Sequence, residues 1–265
     1  MSNNILSSIG SSSLMTITLN GLATNAGRQS TLIAQSSPVT PRARIFVAVM
    51  AGGSAPSANA IVELRIIAGN SQIRSDLCGA SDAAYPSVNS IRNSNYLGTL
   101  IFPASPAANT DQLIAEFIAD RLGKEWGVAV YNLCGQSLGG NLILTPDFAA
   151  DANWTKGTGW TISGGTANAA AGSASDLSQT AAPLTSGRVY RVQYTVSSRT
   201  AGTVTPKCGT QAGTAQNSNA TFTELIVANG TAFLFSKDSS FDGKIDDVTV
   251  SGNFVAYEYE NDQVQ

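Results

Sequence analysis

Residues 131–140 read YNLCGQSLGG, and the choice between two readings of this stretch decides the class of fold. Gly135-Gln136-Ser137-Leu138-Gly139 fits G-x-S-x-G, the tight turn that presents a nucleophilic serine after a strand, and the run before it, WGVAVYNL, is strand-like. That chemistry needs a histidine to take the serine proton, and the chain contains none. The residues that follow, GNLILTPDF, put glycine, asparagine and proline where the turn must lead into a helix. The stretch is therefore read as a Gly-rich linker, and no catalytic residue is assigned.

The segments on either side of it are β in character. Before it come LMTITLNG, RQSTLIAQ, RARIFVAVMAGG, NAIVELRIIAGN, YLGTLIFP and WGVAVYNL, short β-branched runs separated by Gly, Asn, Ser and Pro. In DQLIAEFIADRLGKEW, Leu113, Ile114, Phe117, Ile118 and Leu122 fall at helical spacing, but Leu113, Ala115, Phe117 and Ala119 alternate. This segment is read as a strand followed by a turn. After the linker come NLILTPDF, WTISGGTANAA, RVYRVQYTVSS, GTVTPKCGT, TFTELIVAN, TAFLFSKD and IDDVTVSG, again at regular intervals. The expected fold is all-β with two β-sandwich domains, residues 1–140 and 141–252, followed by a tail, 253–265.

Composition narrows the function classes. Charged residues are 12% of the chain, about half the usual share, which suits close-packed sheets. There are 15 Lys and Arg against 18 Asp and Glu, without a basic cluster, so no nucleic-acid partner is expected. Cys78, Cys134 and Cys208 are far apart and, with no histidine, make no zinc site of ordinary spacing; they read as small buried apolar residues of a protein assembled in a reducing cytoplasm. The start, MSNNILSSIGSSSLM, lacks a basic n-region and an apolar h-region, and IFVAVMA is too short to span a bilayer, so no membrane insertion is expected.

In the second unit NLILTPDF, the W…GW.I..G pattern of Trp154, Trp160 and Ile162, the Y.V.Y.V pattern from Tyr190 to Val196, and FDGKIDDVTV occur in an order that resembles jelly-roll carbohydrate-binding modules of the galactose-binding-like kind, over residues 141–252. NGLATNAGRQSTLI, GASDAAY, LGTLIFP and KEWGVAVYN in the first unit are similar to β-rich modules of tailed-bacteriophage virion proteins. The resemblance implies a non-enzymatic virion-surface protein made in the host cytoplasm: a capsid decoration, or cement, protein that docks on the major capsid protein or other virion proteins as a homo-oligomer, with a trimer as first expectation. The jelly roll would face outward toward surface glycans. A tail- or fibre-associated adhesin, or an accessory module of a bacterial polysaccharide system, would use the same domains.

Sugars are held by aromatic faces and by polar side chains, which makes Trp154, Tyr190, Tyr194 and Arg188 the candidate glycan-binding residues. Trp160 opens an alternating strand and reads as core. Tyr190, Val192 and Tyr194 share a strand face with Arg188, so either the tyrosines pack inside or that face is a platform. Trp154 lies in the polar loop DANWTKGTG, as a recognition residue or as a loop anchor. In KIDDVTV, regular alternation puts Asp246 and Asp247 on opposite faces, so one carboxylate would point inward. The resemblance implies a structural calcium for these two acids, although Ala149 stands where a further acidic ligand is common; otherwise no cofactor is expected. The first 20 residues are polar and Ser-rich until LMTITLNG, and in the tail Val255, Tyr257 and Tyr259 alternate on one face; at least one of these termini is expected to be an arm that orders against a neighbouring subunit or the capsid.

Overall fold

The structure is a computed structural model that describes residues 12–35, 42–69, 79–85, 94–107, 111–120, 122–179 and 184–260. Cys78 lies outside them. The described residues contain strands, turns and bends and no helix. The strands are β1 (Ser13–Leu14), β2 (Ala26–Gln29), β3 (Ile33–Ala34), β4 (Arg42–Met50), β5 (Ile61–Gly69), β6 (Ala83–Tyr85), β7 (Asn95–Ile101), β8 (Gln112–Asp120) and β9 (Glu125–Leu133). Next come β10 (Thr155–Lys156), β11 (Trp160–Ser163), β12 (Thr166–Ala169), β13 (Ser175–Gln179), β14 (Val189–Ala201) and β15 (Val204–Cys208). The last are β16 (Gln211–Ala212), β17 (Ala220–Val227), β18 (Phe233–Lys237), β19 (Asp242–Ser251) and β20 (Phe254–Tyr259).

One compact unit is Met1–Gly140 together with Asn253–Gln265, and the other is Asn141–Gly252. The expected free tail is thus a strand of the first unit. Its antiparallel sheets run β1-β20-β4-β8 and β6-β2-β9-β5-β7, with β3 also on β9. β20 lies between β1 and β4, with Phe254 opposite Ala48 and Tyr259 opposite Ala43. The alternation read as an arm is core packing. Val255 is fully buried, and Tyr257 and Tyr259 set their rings 5.2 and 6.1 Å from that of Trp126, whose Nε1–H donates to the Tyr259 hydroxyl at 3.1 Å.

β4 shows how the core is written: Ala43, Ile45, Val47 and Val49 point toward Val62, Leu64, Val128 and Val130 of the opposite sheet. β8 pairs with β4 along its whole length and turns Leu113, Ala115, Phe117 and Ala119 inward, so alternation and not helical spacing describes it. Phe117 lies directly over Gly98 of β7, where any Cβ would collide with its ring.

The YNLCGQSLGG stretch is not a linker but part of the first unit. After β9 the Asn132 amide donates to the carbonyls of Leu22 and Gln136, at 2.8 and 2.7 Å, and its Oδ1 accepts the Cys134 N–H. Gly139 N–H reaches the Met50 carbonyl, and the Asn253 side chain closes the exit by donating to Gly139 O and accepting from Met50 N–H. No helix follows Ser137, which sits exposed in an irregular segment.

The second unit is a jelly roll. Its sheets run β11-β12-β19-β14-β17 and β10-β13-β18-β15-β16, all pairings antiparallel, and the chain crosses between sheets at nearly every step from β12 to β19. Tyr190, Val192, Tyr194, Ile245, Val248 and Val250 of one sheet and Leu177, Val204, Phe233 and Phe235 of the other are buried, and Tyr194 packs against Phe235. Trp160 is buried beside Phe241, as expected for a core residue.

NLILTPDF forms no strand because side chains satisfy its backbone. Asn141 Oδ1 accepts from Ile143 and Val250 N–H, its Nδ2 donates to Val248 O, and the buried Gln179 amide pairs with both N–H and C=O of Leu144. Positive φ angles at Thr145 (45°) and Phe148 (48°) complete the turn.

Candidate functional site: a polar cleft on the jelly roll

The aromatic residues considered for sugar stacking are interior. Trp154 is 7% exposed, stacks 6.4 Å from Phe235 and 5.1 Å from Phe148, and donates its Nε1–H to the Thr145 carbonyl at 3.3 Å. It anchors the loop. Tyr190 and Tyr194 are fully buried; the Tyr190 hydroxyl accepts the Thr185 N–H at 2.8 Å, and the Tyr194 ring packs 4.9 Å from Phe235. Arg188 is half-buried in the turn before β14, not on the strand face of the tyrosines. These four residues form no common surface, and the reason is the period of two: Tyr190, Val192 and Tyr194 take the inner face of β14 together.

Asp246 and Asp247 break that period. Along β14 the pairing advances from Gln193 to Thr195 while β19 advances from Thr249 to Asp246, so β19 carries one extra residue. Asp247 absorbs it at φ 52°, a left-handed conformation that Asp tolerates better than most residues. Ile245 and Val248 are buried, whereas Asp246 is half-buried and Asp247 exposed. The expectation that one carboxylate points inward is therefore overturned by the bulge, which turns both toward solvent. Among the described residues no three His, Cys, Asp or Glu side chains cluster as metal ligands.

The bulge helps shape a cleft of about 410 Å³ on the outer face of the β14, β17 and β19 sheet. It is lined by Asn141, Pro146, Asp147, Gln193, Thr195, Thr221, Asp247, Val248 and Thr249. Thr195 and Thr221 hydroxyls bond at 2.9 Å across the β14–β17 pair. Gln193 Oε1 accepts from Arg191 Nη2 at 2.6 Å and from Thr223 Oγ1 at 3.3 Å, which leaves its NH₂ as the donor on offer. Asp147 Oδ1 caps the Ala149 N–H at 3.2 Å. Burial, with the Asp247 and Asp147 carboxylates adding to it, holds the Asp246 carboxyl above its ordinary range, against the opposing pull of the Asp247 N–H. The outward positions of β14 were readable as polar, but which segments wall the cleft was not.

Inside the jelly roll, Glu224 accepts the Thr214 N–H on Oε2 at 2.8 Å, while its buried Oε1 and the buried Tyr194 hydroxyl have no hydrogen-bond partner. Burial pushes the Glu224 carboxyl up, with the Thr214 N–H opposing. A raised folded-state pKa means that the native state binds this proton more tightly, so the contribution is full below the unfolded value and is lost as pH rises through the folded one. Glu224→Gln should therefore lose stability less steeply than wild type as pH rises above about 4, the ordinary glutamate range. Urea titrations at several pH values read the difference, and parallel pH profiles would contradict it. Asp82 and Asp246 titrate alike in both proteins and cancel.

No family model matches the chain, and no curated protein matches it. Among solved structures, the chain is similar to the N-terminal CBM22-1-CBM22-2 tandem domain of Xyn10C from Paenibacillus barcinonensis, with 10% identity and a TM-score of 0.31, over 91% of this chain and 98% of that one.

Proposed function

We propose that the protein is a non-catalytic carbohydrate-binding protein held at a surface, with the Asn141–Gly252 jelly roll as the ligand-facing module and the other unit as the attaching body. The observation that carries the reading is the cleft, where an amide donor, three threonine hydroxyls and two carboxylates converge beside the apolar ring of Pro146. Such a lining complements a pyranose, whose hydroxyls both donate and accept while its C–H faces are apolar. With no aromatic among the lining residues, affinity rests on hydrogen bonds made in competition with water, and the dissociation constant should lie on the order of 0.1–1 mM.

A glycan array followed by calorimetric titration tests this. Gln193→Ala combined with Thr195→Val should weaken every hit by about tenfold or more, because both replace polar groups of the cleft floor. An array without a single hit, or hits indifferent to the double variant, defeats the reading. The setting we favour is a tailed-phage virion, as a capsid decoration protein on the major capsid protein. It is supported by the resemblance of the first unit and would multiply weak contacts through a closed homo-oligomer such as a trimer. Electron microscopy of particles with antibody against the jelly roll tests that placement separately.

A further inference from the structure

We propose, resting on the carbohydrate reading, that the cleft selects by charge: it takes neutral or amino sugars and excludes uronate, sialylated and sulfated glycans. Its lining contains two carboxylates, Asp147 and Asp247, and neither Lys nor Arg. The half-buried Asp246 carboxylate adds to the same field. Arg191 is the guanidinium that adjoins the cleft floor along β14. Its Nη2 is committed to Gln193 Oε1, and that bond turns the amide so that its NH₂ faces the ligand and its oxygen does not.

The chemistry of the groups left open points one way. A free carboxylate only accepts hydrogen bonds, and adjacent sugar hydroxyls can donate to its two oxygens together. An ammonium in place of a hydroxyl gains charge as well as donors. A ligand carboxylate or sulfate only accepts, so it leaves both aspartates without partners and brings like charges together. The bulge secures Asp247 in its outward position, since straight β19 pairing would carry the alternation through it.

Titration of the full-length protein with tetrasaccharides of neutral mannose, free-amine glucosamine and galacturonate tests the proposal at low and physiological salt. The uronate should bind at least about tenfold more weakly than the neutral sugar, and the amino sugar several-fold more tightly, with the spread narrowing as salt rises. Asp147→Asn with Asp247→Asn keeps the Ala149 cap and an αL-tolerant residue, so the fold is preserved. This variant should bring the uronate to within about twofold of the neutral sugar. Uronate bound as tightly as mannotetraose by the wild type, or a gap unchanged in the double variant, overturns charge selection while leaving the carbohydrate reading in place. If none of the three binds, charge selection fails, and the carbohydrate reading is decided by the glycan array.

Discussion

Deletion of residues 254–265 should abolish cooperative folding of the first unit and leave the melt of the jelly roll intact. The deleted segment contains β20, an interior strand whose removal strips β4 of one of its two partners and exposes both edges of the gap. It also removes Val255 from the core and uncovers Trp126, against which Tyr257 and Tyr259 pack. Losing one large buried side chain costs about 3–5 kcal/mol, and losing this set exceeds the roughly 5–15 kcal/mol by which a domain is stable. The jelly roll begins and ends at hydrogen-bonded neighbours, Leu142 N–H donating to Val250 O at 2.9 Å, so its chain needs nothing from β20. Scanning calorimetry of the truncated protein should show one transition that coincides with that of the isolated 141–252 fragment. A first-unit transition that survives truncation would show that β20 is dispensable.

Trp154→Ala should destabilise the jelly roll by about 3–5 kcal/mol, because the indole is interior and the cavity left between Phe148, Phe233 and Phe235 has no side chain free to fill it. The variant also releases the Thr145 carbonyl, at a turn held by two positive φ angles. Urea denaturation of the fragment measures the loss, and any folded fraction should keep its saccharide affinity. A loss of less than about 1 kcal/mol together with abolished binding would return Trp154 to the surface as a recognition residue.

Much of the fold could be read because sheets with one buried face write themselves as alternation. RARIFVAVM, VYRVQYTV and the contested QLIAEFIAD all became strands facing the side their apolar residues indicated. β13, SDLSQ, is not legible as a strand because Leu177 is its one large apolar residue and its other inward-facing buried residue, Gln179, is an amide occupied with Leu144. NLILTPDF gave the opposite error: apolar enough for a strand, it is a side-chain-bonded turn.

The candidate site was much less legible. Tyr190 and Tyr194 were open to either face by type, and their burial follows from the opposite sheet's Phe233 and Phe235, which pattern alone does not bring to them. The cleft joins residues from the 141–147 turn, β14, β17 and β19, and it depends on one extra residue in β19 that local alternation cannot reveal.

What the chain determined by itself was its β character, the absence of histidine-based chemistry and the boundary of the jelly roll's ordered motifs, since each follows from residue type and local period. What only the tertiary structure decided was that β20 returns to the first unit, that the aromatic candidates are core, and that Asp247 faces outward. These depend on which strands become neighbours and in what register, and a register is chosen by the burial of the whole sheet, where one extra residue reverses the face of every side chain beyond it.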